Sequence, residues 1–199
     1  IYRTGLHDDL KIPLVGATPA RIRMPHRNKN GQYDNWAKTS LPWMSIGYET
    51  QIPPISTLTF YNTIANNGKM MRPRFVSKVM KNGETIMEFP PEVMRQQIAK
   101  EKSIKELQTI LEQVVSLGLG KKAGSPNFKV AGKTGTAQIS KGAGGYKSGG
   151  TSYLISFAGY FPADAPRYSC IVCIQKSGLP ASGGTMCGKV FHEISEGIM

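Results

Sequence analysis

The stretch NFKVAGKTGTAQI, residues 127–139, decides how the chain is read. It holds two overlapping signals: Gly132-Lys133-Thr134, which suggests a phosphate-binding loop, and Lys133-Thr134-Gly135, which suggests the wall of an acyl-transfer site. A phosphate loop needs a glycine five residues before Gly132, so that backbone N–H groups can curl round the phosphates, and a helix opening at the lysine. Asn127 stands where that glycine is needed, and Gly135, Thr136, Ala137, Gln138 and Ile139 continue as a strand. The nucleotide reading fails on both counts. As a strand, Lys133, Gly135 and Ala137 share one face and Thr134 and Thr136 the other, unless twist at a sheet edge brings them together. Gly135 leaves room for another backbone to approach. Lys133 with the two hydroxyls makes a set suited to a carboxylate.

Working outward, the helical spacing of Leu107, Leu111 and Val114 predicts an amphipathic helix over SIKELQTILEQVVSLGLG. Its apolar stripe runs from Ile104 to Leu117, Ser103 is placed to cap its start, and Gly118 and Gly120 end it. Upstream, TQIPPISTLTFYNTIANN predicts a buried helix with Ile55, Leu58, Tyr61, Ile64 and Ala65 inward and Gly68 as its stop. Between them, Asn82-Gly83 joins two β-rich runs and predicts a surface hairpin. Downstream, TSYLISFAGYFPA and RYSCIVCIQKS read as antiparallel strands joined by a short Pro-Ala-Asp-Ala-Pro turn. The Gly-rich SKGAGGYKSGG is a loop outside the core, and GGTMCGKVFHEISEGIM is a turn and closing helix with Val190, Phe191 and Ile194 inward. Residues 1–47 read as irregular, 48–120 as helices with the hairpin, and 121–199 as sheet and closing helix. Helices on an antiparallel sheet make a single α+β domain.

The bulk numbers narrow the function. At 199 residues and 40% hydrophobic composition, the chain can bury a real core. The net charge of +12 favours acidic partners. The densest basic stretch, with Arg21, Arg23, Arg27 and Lys29, has no helical or zinc-finger frame to present it to a groove; it reads as a solvated loop, and no nucleic acid is expected. The longest apolar run, Tyr153 to Phe161, is far shorter than the ~20 residues that cross a bilayer. Cys170, Cys173, Cys187 and His192 form a zinc-like series, yet residues three apart in a strand point to opposite faces, so buried thiols are expected in place of a metal site. His7, His26 and His192 suggest no triad, and Asp8-Asp9 reads as a solvated loop.

The run VAGKTGTAQ, the LEQVV helix before it, the strand YLISFAGYFPAD after it and the earlier SIGYETQIPPISTLTFYNTIANNGKMMRPRFV together resemble the C-terminal part of the transpeptidase domain of class B penicillin-binding proteins. The likeness runs from about Trp43 to the C-terminus, and PWMSIGYE leans towards the division-specific, FtsI-like members. It implies a partial penicillin-binding and serine β-lactamase-like fold, no cofactor, and no metal. In that family a serine attacks the penultimate D-alanine carbonyl of a stem peptide and passes the acyl group to an amine of a neighbouring strand. Carried over, Lys133 completes the polar network round the nucleophile, the Thr134 and Thr136 hydroxyls hold the terminal carboxylate, and the Thr136 N–H is half of an oxyanion hole. Gly135 lets the peptide lie alongside as an added strand. The implied partners are peptidoglycan stem peptides, β-lactams, and other wall-synthesis or division proteins. The implied place is the periplasmic face of the inner membrane, through an anchor that this chain does not carry.

The departure from the family is that Ser-x-x-Lys occurs nowhere in the chain, and the one Ser-x-Asn, Ser125-Pro126-Asn127, reads as a turn. With Ile1 in place of an initiator methionine, the chain is expected to be a catalytically silent piece of a longer enzyme. The alternative is a binding module without catalysis that keeps the strand as a peptide or carboxylate clamp, or as a partner surface within a wall-synthesis complex.

Overall fold

The computed structural model describes residues 1–140, 146 and 150–199. The glycine-rich loop expected over 140–150 therefore falls largely outside the described residues. At the centre lie three antiparallel strands, β7 (Ala131–Ile139), β8 (Ser152–Phe161) and β9 (Tyr168–Ser177), in the order β7-β8-β9. Ahead of them come β1 (Arg21–Ile22), α1 (Ser40–Ser45), β2 (Thr50–Gln51), α2 (Pro54–Ala65), β3 (Met70–Met71), β4 (Lys78–Lys81), β5 (Glu84–Glu88), β6 (Val93–Arg95) and α3 (Glu101–Ser116). A π-helical turn, Gly183–Cys187, leads into α4 (Gly188–Ile198). The α+β reading holds.

The strand β8 reads as buried because both of its faces are covered. Its odd positions Ile155, Phe157 and Phe161 join Val172, Val115, Cys187 and Phe191 in one core cluster. The rings of Phe157 and Phe191 meet edge to face at 4.8 Å. Its even position Tyr160 joins Ile64, Leu111 and Ala131 on the opposite face, under α2 and α3. α3 lies against β7 and α2 against β8 and β9. Two side chains lock this layer: Asn62 donates to the Ser169 hydroxyl at 3.1 Å, and Gln108 donates to the Ile64 carbonyl at 2.7 Å.

Several helix faces differ from their expected stripes. The deepest residues of α2 are Ser56, Thr59, Thr63 and Ile64, while Ile55, Leu58 and Tyr61 are half-buried. Thr59 and Thr63 can be buried because their hydroxyls are satisfied within the helix, donating to the Ile55 and Thr59 carbonyls. α3 begins at Glu101, two residues before the expected cap at Ser103, and its lower end buries Val115, leaving Leu117 exposed. In α4 the inner stripe is Gly188, Phe191 and Ser195, so Val190 and Ile194 lie on the flanks. Gly188 packs against Lys122 and Ala123, and the Phe191 ring meets Phe157 and Phe161 of β8.

The hairpin forms as expected, with Asn82 at φ 50° and Gly83 at φ 86° between β4 and β5, whose residues are all exposed. The N-terminal segment is irregular but not loose. Arg95 on β6 grips the Asp8 carboxylate through two bonds of 2.6 and 2.9 Å, which corrects the expectation of a solvated Asp8 loop. Beside it Arg72 holds Glu92 at 2.6 and 2.9 Å and donates to the Asp9 carbonyl at 3.3 Å.

Burial makes the core sensitive to alkali. It pushes the Tyr160 phenol from its ordinary 10.0 up to about 12. Burial, with the charge of nearby Cys173, lifts the Cys187 thiol from 9.0 to about 11. Between pH 9 and 12 the folded chain then holds protons that the unfolded chain has released, so stability falls as pH rises through that window. The urea midpoint is expected to drop steadily from pH 9 to 12, and Cys187→Ala to lessen the drop between pH 9 and 11. A midpoint flat across the window contradicts this account.

Candidate active-site strand

The register of β7 on β8 sets the site. Ala131, Lys133, Gly135, Ala137 and Ile139 pair with Tyr160, Ala158, Ser156, Leu154 and Ser152. In an antiparallel pair, alternate residues turn both N–H and C=O to the partner while those between turn them away. The Gln138 N–H donates to the Tyr48 hydroxyl oxygen at 3.0 Å, outside the β8 ladder. Gly132, Thr134 and Thr136 share its parity, so the Thr134 and Thr136 amides and carbonyls face outward along the β7 edge. Lys133 agrees: its Nζ reaches round that edge and donates to the Thr134 carbonyl at 2.9 Å and the Thr134 hydroxyl at 3.2 Å.

The side chains divide between two faces, as the period-2 reading requires. Lys133 and Gly135 lie on the α2 and α3 face, where a Cβ on Gly135 would collide with the Ser156 hydroxyl. Thr134 and Thr136 lie on the opposite face, toward the Gly183–Cys187 turn. There the Gly183 N–H donates to the Thr136 hydroxyl oxygen at 3.4 Å. Each threonine hydroxyl accepts one bond and keeps its own proton to donate. The flexible lysine stem brings its charge across the edge to Thr134, so the four named residues gather at one sheet edge although they straddle it. That edge can take an extended backbone through Thr134 O, Thr136 N and Thr136 O, and an anion through Lys133 and the hydroxyl protons.

Three parts of this site escaped the sequence reading. Gly183 packs so closely on β7 and β8 that a Cβ would press on the Gly135 and Ser156 carbonyls, and one on Gly184 would meet the Leu119 carbonyl and the Thr134 methyl. The Gly-Gly pair was legible as a close approach of backbones but was read only as a turn. Ser156 lies one strand inward on the lysine face, and among the described residues its hydroxyl has no hydrogen bond to a His, Lys or carboxylate. Tyr48 had no local signal at all, since it meets Gln138 across 90 positions of sequence.

Other expected features fall outside the site. Ser125 accepts from the Asn127 and Phe128 amides at 2.9 and 3.3 Å, which makes Ser125-Pro126-Asn127 a turn. Hydrogen bonds from Ser125 and Asn127 hold the Glu196 carboxyl below the usual carboxylate range. Cys170 pairs with Gly159 and packs on the phenylalanine core, while Cys173 pairs with Ser156 and is exposed on the other face. Arg23 pairs with Glu49 at 3.3 Å within the basic N-terminal stretch. A groove of 760 Å³ lined by Asn66, Gln97, Glu101 and Lys105 lies away from β7.

The family described as the penicillin binding protein transpeptidase domain matches residues 18–196. Penicillin-binding protein PbpB of Mycolicibacterium smegmatis is 30% identical over 177 residues, covering 83% of this chain and 27% of the relative's length. The peptidoglycan D,D-transpeptidase FtsI of Escherichia coli is 27% identical over 170 residues, covering 84% of this chain and 26% of its own. The chain thus spans about a quarter of the length of these relatives. Among solved structures, penicillin binding protein 3 of Mycobacterium tuberculosis complexed with aztreonam superposes with a TM-score of 0.78 at 26% identity, over 100% of this chain and 44% of that one.

Gly183→Ala tests whether the turn supports the strand. Because the added methyl meets backbone that cannot swing away, a loss of about 1–3 kcal/mol in urea unfolding is expected. An unchanged midpoint contradicts the close packing of Gly183 beneath Gly135.

Proposed function

Because this chain belongs to the penicillin-binding protein transpeptidase domain family, we propose that it carries the substrate-binding strand of a peptidoglycan D,D-transpeptidase. The observation that supports this most is the outward edge of β7, where Lys133, Thr134 and Thr136 offer one positive charge, two hydroxyl protons and a backbone N–H beside a free carbonyl. A stem peptide lies along that edge as an added strand. Its terminal carboxylate rests against Lys133 and the threonine hydroxyls, and Gly135 keeps the approach clear of a side chain. Its penultimate carbonyl points at the Thr136 N–H, which stabilises the oxyanion as a nucleophile attacks. One such donor lowers a barrier by about 3 kcal/mol in comparable enzymes.

The nucleophile is a serine of a Ser-x-x-Lys helix supplied from outside these residues, since the 199-residue sequence contains no such motif. D-alanine leaves, and the acyl group passes to an amine of a neighbouring strand; β-lactams occupy the same edge as substrate mimics. The working place is the outer face of the inner membrane, among other wall-synthesis and division proteins. Among the described residues no helix is long and apolar enough to cross a membrane. The missing motif also favours a second reading, a clamp for peptides or a partner surface that binds without catalysis.

Titration with a short peptide ending in D-Ala-D-Ala tests the carboxylate clamp. Amidation of the C-terminus, or Lys133→Ala, is expected to weaken binding by about 10- to 100-fold, as for loss of a charged hydrogen bond. Equal affinity for acid and amide, unaltered by Lys133→Ala, contradicts the assignment.

A further inference from the structure

The same edge sets a limit on how far an added strand can run; this deepens the strand-addition reading above and rests on it. With the terminal carboxylate at Lys133 and Thr134 and the reacting carbonyl at Thr136, the peptide runs antiparallel to β7 and its amino end points toward Gln138. Outward residues two apart on β7 each exchange two bonds with one residue of an antiparallel neighbour. The penultimate peptide residue sits opposite Thr136. The residue two places upstream, fourth from the carboxyl end, comes opposite Gln138.

At that position the exchange is already blocked, because the Gln138 N–H is donated to Tyr48 at 3.0 Å. Tyr48 is not a stray surface ring. The turn after α1 returns its backbone N–H to the Trp43 carbonyl at 3.0 Å, with Gly47 at φ 97° making the bend. The Tyr48 ring meets Trp43 at 5.0 Å and 71° and Tyr146 at 5.7 Å and 83°, while Trp43 and Tyr146 stack at 5.9 Å and 15°. Two aromatic neighbours thus fix the hydroxyl on the strand edge. Offset and edge-to-face pairs of this kind each add about 0.5–1.5 kcal/mol beyond burial.

We infer that Tyr48 is a specificity-determining residue that ends the substrate ladder by capping Gln138. Backbone recognition covers the three residues at the carboxyl end of the peptide, and the fourth meets a wall of Trp43, Tyr48 and Tyr146 where a free backbone partner would otherwise stand. The strand therefore selects the end of a peptide and not an extended chain. The cap also protects a long free edge from pairing with unrelated strands.

Tyr48→Phe tests this, because it keeps the ring and its packing and removes only the capping oxygen. Peptides with free amino ends, three and five residues long and both ending in D-Ala-D-Ala, are titrated into each protein. The parent chain is expected to bind both within about twofold; the variant is expected to favour the longer by about fivefold, the worth of one backbone hydrogen bond. Amide exchange of Gln138 supplies the second readout: slow in the parent, faster in Tyr48→Phe, and slowed again in the variant by the five-residue peptide only. If both proteins bind peptides with the same length profile and the same Gln138 exchange, the cap is wrong and the strand-addition reading stands. If neither peptide binds either protein, strand addition itself fails and the cap falls with it.

Discussion

Everything at the site depends on leaving one edge of a sheet unpaired. A strand of nine residues whose N–H and C=O groups face outward invites pairing with any extended chain. The fold controls that edge by fixing everything around it. α3 supports β7 on one side, and the Gly183–Cys187 turn presses on it from the other with no side chain between the backbones. Tyr48 closes the far end. What remains open is a short backbone segment at Thr134 and Thr136, flanked by the Lys133 charge.

The edge could be read in the sequence because its residue types conflict with the bland alternatives. Lysine, threonine and glycine in alternation fit a strand with a charged face, and Asn127 stands where a phosphate loop needs glycine. The central strands and the Asn82-Gly83 hairpin were legible for similar local reasons, since period and turn chemistry act over a few residues. What was not legible arises from packing between distant segments. Periodicity placed Ile55 and Leu58 inside α2, but the deepest positions include Ser56, Thr59 and Thr63, polar side chains that an apolar count passes over and whose threonine hydroxyls the helix itself satisfies. It placed Val190 and Ile194 inside α4, but the buried stripe is Gly188, Phe191 and Ser195, with Gly188 packed on the distant Lys122–Ala123 segment. Asp8 gave no sign of its partner because Arg95 is far away in the sequence.

The family membership and the geometry bear on different parts of the functional reading. Matching residues 18–196 to a transpeptidase domain gives the chain its family and fold. The outward parity of Thr134 and Thr136 is independent of that match and follows from the β8 register and the Gln138 bond. A carboxylate clamp therefore suits a transpeptidase and a non-catalytic binder equally well. The two part company at the nucleophile: acyl transfer needs a serine at the Lys133 end of the edge, and a binding module needs none.

Covalent labelling separates them most directly. The 199-residue chain, and the same chain joined at its amino end to a segment bearing a Ser-x-x-Lys helix of this family, are treated with fluorescent penicillin and examined for label that survives denaturation. Label on the extended protein alone is the result this account predicts, with Lys133 and the β7 edge completed by a Ser-x-x-Lys helix from outside the chain. Label on neither protein contradicts the acyl-transfer mechanism, and label on the short chain contradicts the claim that its nucleophile lies elsewhere.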